Sequence, residues 1–276
     1  MWGRRALLLA GLAPRPALAE GLSAIEARVG GRLGVMARQG GRLIAHRGRE
    51  RFPMASTFKA LLAAAVLARA EAGALSLDQR LPIPREGLVA WSPVTETRRG
   101  EAMRLDELCA AIMTISDNTA TNLLLGVLGG PEGLTAWLRS IGDDATRLDR
   151  MEPALNEARP GDPRDTSTPA AMAATLSRLA LGDVLRAEGR ARWLGWLEAN
   201  TTGGARLRAG VPAGWRVGDR TGGAAHGTSN VVGLLWPPGG AAPWVVAAFL
   251  TESQAPPAAR DAALADVARL VTALEA

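Results

Sequence analysis

The sequence predicts an α/β protein of the α+β kind, with a helical middle inserted between two strand-bearing ends. Three observations predict it. The chain has 276 residues, 47% of them hydrophobic, which suffices to bury a large core as one two-lobed unit or two intimate domains. Short alternating segments lie near the beginning and Gly- and Pro-punctuated apolar runs return after Thr201. Between them, apolar residues recur at helical spacing.

Taken in order, residues 22–29 have helical spacing, and 32–37 and 42–47 read as two strands of a hairpin joined at Gly40-Gly41. The alanine- and leucine-rich run 57–72 predicts a long, buried helix. Residues 106–115, 118–128, 133–140, 169–181 and 188–198 continue the helical pattern, several with Ser, Thr or Asp near their starts. Strands are expected at 215–219, 229–236 and 244–251, with a closing helix over 257–274. The first and last segments should share one antiparallel sheet, which assigns 20–52 and 203–276 to an α/β lobe and 53–202 to a helical lobe. Residues 147–169 lack periodicity and carry Pro153, Pro160, Pro163 and Pro169, so a long functional or disordered loop is expected there.

Met1-Trp2-Gly3-Arg4-Arg5, an apolar run over 6–13 and Ala17-Leu18-Ala19 have the charge, apolar and small-residue order of an export signal over 1–19. A periplasmic or secreted protein is therefore expected. No later stretch approaches the roughly 20 apolar residues that span a bilayer. The net charge of +5 includes Arg4, Arg5 and Arg15 of that leader, and elsewhere arginines alternate with acids, as in Arg147-Leu148-Asp149-Arg150. Without a basic stripe and stacking aromatics, nucleic acid is not an expected partner. Cys109, the single cysteine, cannot form an intramolecular disulfide and reads as a buried small hydrophobe. His46 and His226 stand apart without metal-ligand spacing, so neither zinc nor a Ser-His-Asp triad is expected. With no tyrosine, a general base must be a carboxylate, a lysine or one of those histidines.

Lys59 is the only lysine among 32 basic residues. Lysine can surrender its proton when buried, and arginine practically cannot. Neutralising a lysine at pH 7 costs roughly 4 to 5 kcal/mol, against about 8 or more for arginine. Lys59 stands three residues after Ser56, on one face of a predicted helix, and so is a candidate base for a nucleophile.

With that pair, four groupings stand in fixed order: Ser56-x-x-Lys59, Ser116-Asp117-Asn118, Glu152-Pro153-Ala154-Leu155-Asn156 and Arg220-Thr221-Gly222. A lone Ser-Asp-Asn is more often a helix cap. The order and spacing of all four reverse that reading. With Arg51 to Lys59, Ser92-Pro93-Val94 and Ile115 to Leu125, they closely resemble class A serine β-lactamases over essentially the whole chain. The resemblance implies a fold shared with penicillin-binding proteins, no metal or cofactor, and a monomer whose partner is a small β-lactam. It implies that Ser56 attacks the lactam carbonyl while the main-chain N–H groups of Ser56 and Gly223 receive the oxyanion. Ser116 would relay a proton to the leaving nitrogen, and Asn118 would hold the substrate's side-chain amide. Glu152, helped by Asn156, would activate the water that frees the acyl-serine, and Arg150 and Asp165 would pin the loop.

Two departures accompany the resemblance. Arg220 replaces the usual lysine before Thr221, and Ser229 stands where many members carry a carboxylate-binding arginine. Arg206 falls where a subset supplies that arginine instead, and Trp91 falls where the family has an aromatic at the rim. An arginine like Arg220 occurs in carbenicillin-hydrolysing members of the family, so the resemblance implies a leaning towards penicillins. The functional expectation is β-lactam hydrolysis; the alternatives are a D,D-peptidase and a sensor that acylates and stalls. Glu152 argues against the D,D-peptidase, and the amount of penicillin consumed per protein separates the hydrolase from the sensor.

Overall fold

The computed structural model describes residues 16–275. Residues 1–15 of the leader expected over 1–19 lie outside the described residues, and its last four open the first helix. Helix α1 (Pro16–Val29) leads into β1 (Arg32–Gln39) and β2 (Arg42–His46), and β7 (Arg216–Ala224), β8 (Thr228–Trp236) and β9 (Trp244–Thr251) join them in one antiparallel sheet ordered β2-β1-β9-β8-β7. First and last segments do share that sheet.

The period-2 geometry of a strand explains why β9 reads as an unbroken apolar run. Trp244, Val246, Ala248 and Leu250 pack with α1 and the closing helix α9 (Pro257–Thr272). Val245, Ala247 and Phe249 face the other way, into the helical core. Both faces are covered, so every position of β9 is buried.

The helical side is built on α2 (Lys59–Glu71), whose residues 59–67 are all buried. Alanines at 60, 63, 64 and 65 let neighbours approach from every direction, as an apolar helix at the centre of a core requires. Around it lie α3 (Leu105–Thr114), α4 (Asn118–Leu128), α5 (Gly130–Ser140), α6 (Pro169–Leu181) and α7 (Ala187–Glu198). Trp193 of α7 is fully buried and donates its indole N–H to Ala60 O at 2.8 Å, locking α7 to α2. A short helix α8 (Leu207–Gly210) leads back towards the sheet.

Several boundaries differ from expectation, the largest at α1, which begins at Pro16 rather than at residue 22. The helix expected from residue 57 begins as a 3-10 turn over Ala55–Phe58, and α2 proper starts at Lys59. Ala55 has φ +45°, so the chain enters the helix through a left-handed residue that prevents regular winding there. Strand β7 does not stop at 219 but continues through Arg220, Thr221, Gly222 and Gly223, in register with β8 from Arg216↔Trp236 to Ala224↔Thr228. Glycines hide a strand from pattern reading, because it is the neighbour's ladder that holds them. Helix α9 stops at Thr272 and tightens to a 3-10 turn over Ala273–Glu275. Two small ribbons were not expected: β3 (Phe52–Pro53) with β6 (Thr166–Ser167), and β4 (Arg80–Pro82) with β5 (Ala102–Arg104).

The loop over 147–169 is closed at its neck. Asp165 is buried and accepts from Asp149 N at 2.8 Å, Arg150 N at 3.0 Å and Arg150 Nε at 2.6 Å, while Asp165 N donates back to Asp149 Oδ2 at 2.8 Å. Arg150 also donates to Glu157 at 2.7 Å. Charge-assisted bonds of this kind, each worth roughly 1.5 to 3 kcal/mol, give an otherwise aperiodic segment one shape.

Candidate functional site

Four elements converge on one buried ammonium. Lys59, at the start of α2, is fully buried and donates to Ser116 O at 3.1 Å, Ser116 Oγ at 3.1 Å and Asn118 Oδ1 at 2.5 Å. Its three protons are thereby placed, and Glu152 Oε1, 3.0 Å from Nζ, meets it as an ion pair. Burial pushes the Lys59 ammonium down to about 8; Glu152 opposes the fall and the positive charge of Arg220 adds to it. Ser56 is half-buried in the 3-10 turn, and among the described residues its hydroxyl makes no hydrogen bond.

Ser116 has φ +70°, a left-handed conformation that costs a non-glycine residue on the order of 1 to 3 kcal/mol. The neighbouring Asp117 offsets it. That carboxylate is fully buried and accepts from Val94 N, Thr95 N, Thr95 Oγ1 and Ala120 N at 2.8 to 3.0 Å. Asp117 is therefore the N-cap of α4, and the helix-cap reading of Ser-Asp-Asn holds for the middle residue while its two flanks face Lys59. Asn118 Nδ2 donates to Ala90 O at 2.8 Å, and Asn118 N donates to Trp91 O at 2.9 Å. Trp91 itself is 63% exposed, with its indole N–H on Ile115 O at 3.0 Å. Its ring is held and its faces stay open.

Glu152 is buried and accepts from Asn156 Nδ2 at 2.5 Å through Oε2. Its main chain is gripped on both sides by one side chain of α4: Asn122 Nδ2 donates to Glu152 O, and Glu152 N donates to Asn122 Oδ1, both at 2.9 Å. Asn156 Oδ1 is buried without a hydrogen-bond partner among the described residues.

On β7, Arg220 is fully buried, with Nη1 on Thr202 Oγ1 at 3.2 Å and at a marginal 3.5 Å from Asn200 Oδ1. Its Nε and Nη2 have no partner among the described residues. Burial pushes this guanidinium down to about 10, against the opposing charges of Asp219 and Glu152, so it stays protonated at neutral pH. Thr221 Oγ1 meets Thr202 Oγ1 at 2.5 Å. Gly222 lies against the Ser56 turn: a Cβ there would come within 2.9 Å of Met54 O and 3.1 Å of Ser56 N. Arg206 donates from Nη1 to Gly222 O at 2.8 Å and Asn230 O at 2.6 Å, and from Nε to Asp261 at 2.7 Å. Its Nη2 has no hydrogen bond among the described residues.

A family model described as the β-lactamase enzyme family matches residues 17–274. The chain belongs to the class A serine β-lactamases. It is 49% identical over 231 residues to β-lactamase L2 of Stenotrophomonas maltophilia, covering 84% of this chain and 76% of that protein. With β-lactamase AST-1 of Nocardia asteroides it shares 52% identity over 228 residues, 83% of this chain and 73% of the other. The solved structure of an ancestral class A β-lactamase superposes with a TM-score of 0.91 at 60% identity, covering 93% of this chain and 99% of the other.

In this class A β-lactamase the structure draws Lys59, Ser116, Asn118, Glu152 and Asn156 into one bonded cluster. Ser56, Gly222, Arg206 and Trp91 sit beside it on the adjoining turn, strand and rim. Sequence reading missed the supports: Asn122, Asn200, Thr202, Asn230 and Asp261. Asn122 carried a signal, since it follows Asn118 by one helical turn and so shares its buried face.

Proposed function

We propose that Ser56 is the nucleophile and Glu152 the deacylating base in the hydrolysis of β-lactam antibiotics, the activity that class A membership assigns to the chain. The Ser56 oxygen attacks the lactam carbonyl, and the Lys59–Glu152 pair takes its proton, acting as one coupled unit. The N–H groups of Ser56 and Gly223 stabilise the oxyanion. As the C–N bond breaks, Ser116 passes a proton from Lys59 to the departing nitrogen, leaving a Ser56 ester. Glu152 then removes a proton from a water that also donates to Asn156 Oδ1, the hydroxide attacks the ester, and as the C–O bond breaks Glu152 returns the proton to Ser56 Oγ, which releases the opened acid and restores the serine.

The observation that carries this reading is the position of Glu152. A carboxylate whose main chain is clamped by Asn122, and which is itself bonded to Asn156 and ion-paired to the lysine beside the serine, is what a hydrolase needs and a stalling acceptor lacks. Thr221, Gly222, Arg220, Arg206 and Trp91 form the binding wall, with the two arginines facing the substrate carboxylate and a preference for penicillins. The reading extends to a monomeric, exported enzyme, with residues 1–19 removed, a sheet lobe over 20–52 and 203–276 and a helical lobe over 53–202. Among the described residues, no helix is long and apolar enough to cross a membrane. The test is the amount of penicillin consumed per mole of protein. Many turnovers support the hydrolase, and a single equivalent would instead make the protein a sensor.

A further inference from the structure

Asn230 is out of place by pattern. It lies on β8 in the row of Val232 and Leu234, both fully buried against the helical core, and is itself fully buried. An amide in such a row costs on the order of 1 to 3 kcal/mol unless its hydrogen bonds are made. Here they are made to chosen partners. Nδ2 donates to Pro53 O at 2.8 Å and Met54 O at 3.1 Å, while Oδ1 accepts from Leu250 N of β9 at 3.2 Å.

Pro53 and Met54 are the residues that lead into the left-handed Ala55 and then Ser56. A left-handed alanine persists only where its surroundings hold it. Two carbonyls of the incoming chain are held by Asn230, and Met54 N is held from the loop side by Asp165 O at 2.9 Å. Asn230 is also paired in register with Gly222, whose missing side chain lets β7 approach Ser56 N. One side chain thus ties the turn that carries one oxyanion donor to the strands that carry the other.

We infer that Asn230 is a positioning residue, which holds the Ser56 turn against β7 and so sets the spacing between the N–H groups of Ser56 and Gly223. This rests on the role proposed above for those two groups. The residue's own carbonyl receives Arg206 Nη1 at 2.6 Å, so the substrate-carboxylate arginine takes its place from the same point of β8. A side-chain substitution leaves that main-chain contact in place. Oxyanion donors work over a window of roughly 2.7 to 3.1 Å, and a displacement of about 1 Å costs on the order of 100-fold.

The experiment compares wild type with Asn230→Ala by rapid-quench intact mass of the benzylpenicillin adduct, by affinity for phenylboronic acid, and by thermal melting. Asn230→Ala should acylate about 10- to 100-fold more slowly and bind phenylboronic acid at least about tenfold more weakly, because the tetrahedral boronate uses the same two donors. KM should change less than the acylation rate. Should the alanine variant not fold, Asn230→Ser, which keeps one donor, is read the same way with a smaller loss. A folded variant with wild-type acylation and boronate affinity, altered only in melting temperature, overturns the inference. Peptide mapping separates this from the parent reading: a wild-type adduct on a residue other than Ser56 overturns both.

Discussion

Replacing Glu152 by glutamine tests the centre of the site with little change of shape. The amide oxygen can still accept from Asn156 Nδ2, and the Asn122 clamp acts on the main chain, so the loop keeps its form. What disappears is a negative charge 3.0 Å from Lys59 Nζ. At an effective dielectric constant near 20, Coulomb's law gives that contact roughly 5 kcal/mol, or about 4 pK units. Lys59 already sits at about 8 with Glu152 present, below the ordinary lysine value but still protonated in most molecules at pH 7. Removing the partner that most raises the value leaves burial and Arg220, which lower it, against the smaller opposing charge of Asp117, so Lys59 is neutral over more of the physiological range. A neutral amine can accept the Ser56 proton, so acylation should persist and be flat between pH 6 and 8. Deacylation loses its base and should fall by about 10³, or 4 kcal/mol. Intact-mass measurement after mixing with benzylpenicillin should show a penicilloyl adduct that outlives the wild-type species by that factor. Turnover at the wild-type rate would refute the assignment of Glu152.

Three further outcomes follow from the geometry. Arg206→Ala should raise KM for penicillins more than it lowers kcat, by about 1.5 to 3 kcal/mol, and it should also lower the melting temperature, since Gly222 O, Asn230 O and Asp261 all lose a donor; steady-state kinetics with unchanged KM would assign the carboxylate to Arg220 alone. Arg220→Lys should keep kcat/KM within about tenfold, because the charge remains and two buried N–H groups without partners are removed. Lys59→Arg should slow acylation by at least about 10³ in a folded protein, since a guanidinium neither releases its proton nor fits among Ser116, Asn118 and Glu152. Comparable modest losses in both exchange variants would show that Lys59 serves only as a charge.

The parts of the fold legible in the sequence were those where periodicity and burial agree. The bounds expected for α4, α6 and β9 are the bounds observed, because each carries its apolar pattern to its end. Strand β7 was half legible: Arg220 to Gly223 has two glycines and no alternation, and only the facing β8 makes it a strand. The reactive groups were legible because their chemistry admits few substitutes, as with a lone lysine after a serine. Their supports, Asn122 apart, were not, because Asn230 and Asp261 act through main-chain atoms or partners far away in sequence, and an amide in isolation does not reveal what it holds.

The burial of Lys59 has a practical consequence at the protein's surface. Every other side-chain cation is an arginine or a histidine, so the folded molecule presents no side-chain ammonium to solvent. Amine-directed labels and cross-linkers should therefore modify the native enzyme only at its α-amino terminus. A second label appears when the core opens far enough to release the α2 terminus, which makes the lysine that serves catalysis a built-in reporter of global unfolding.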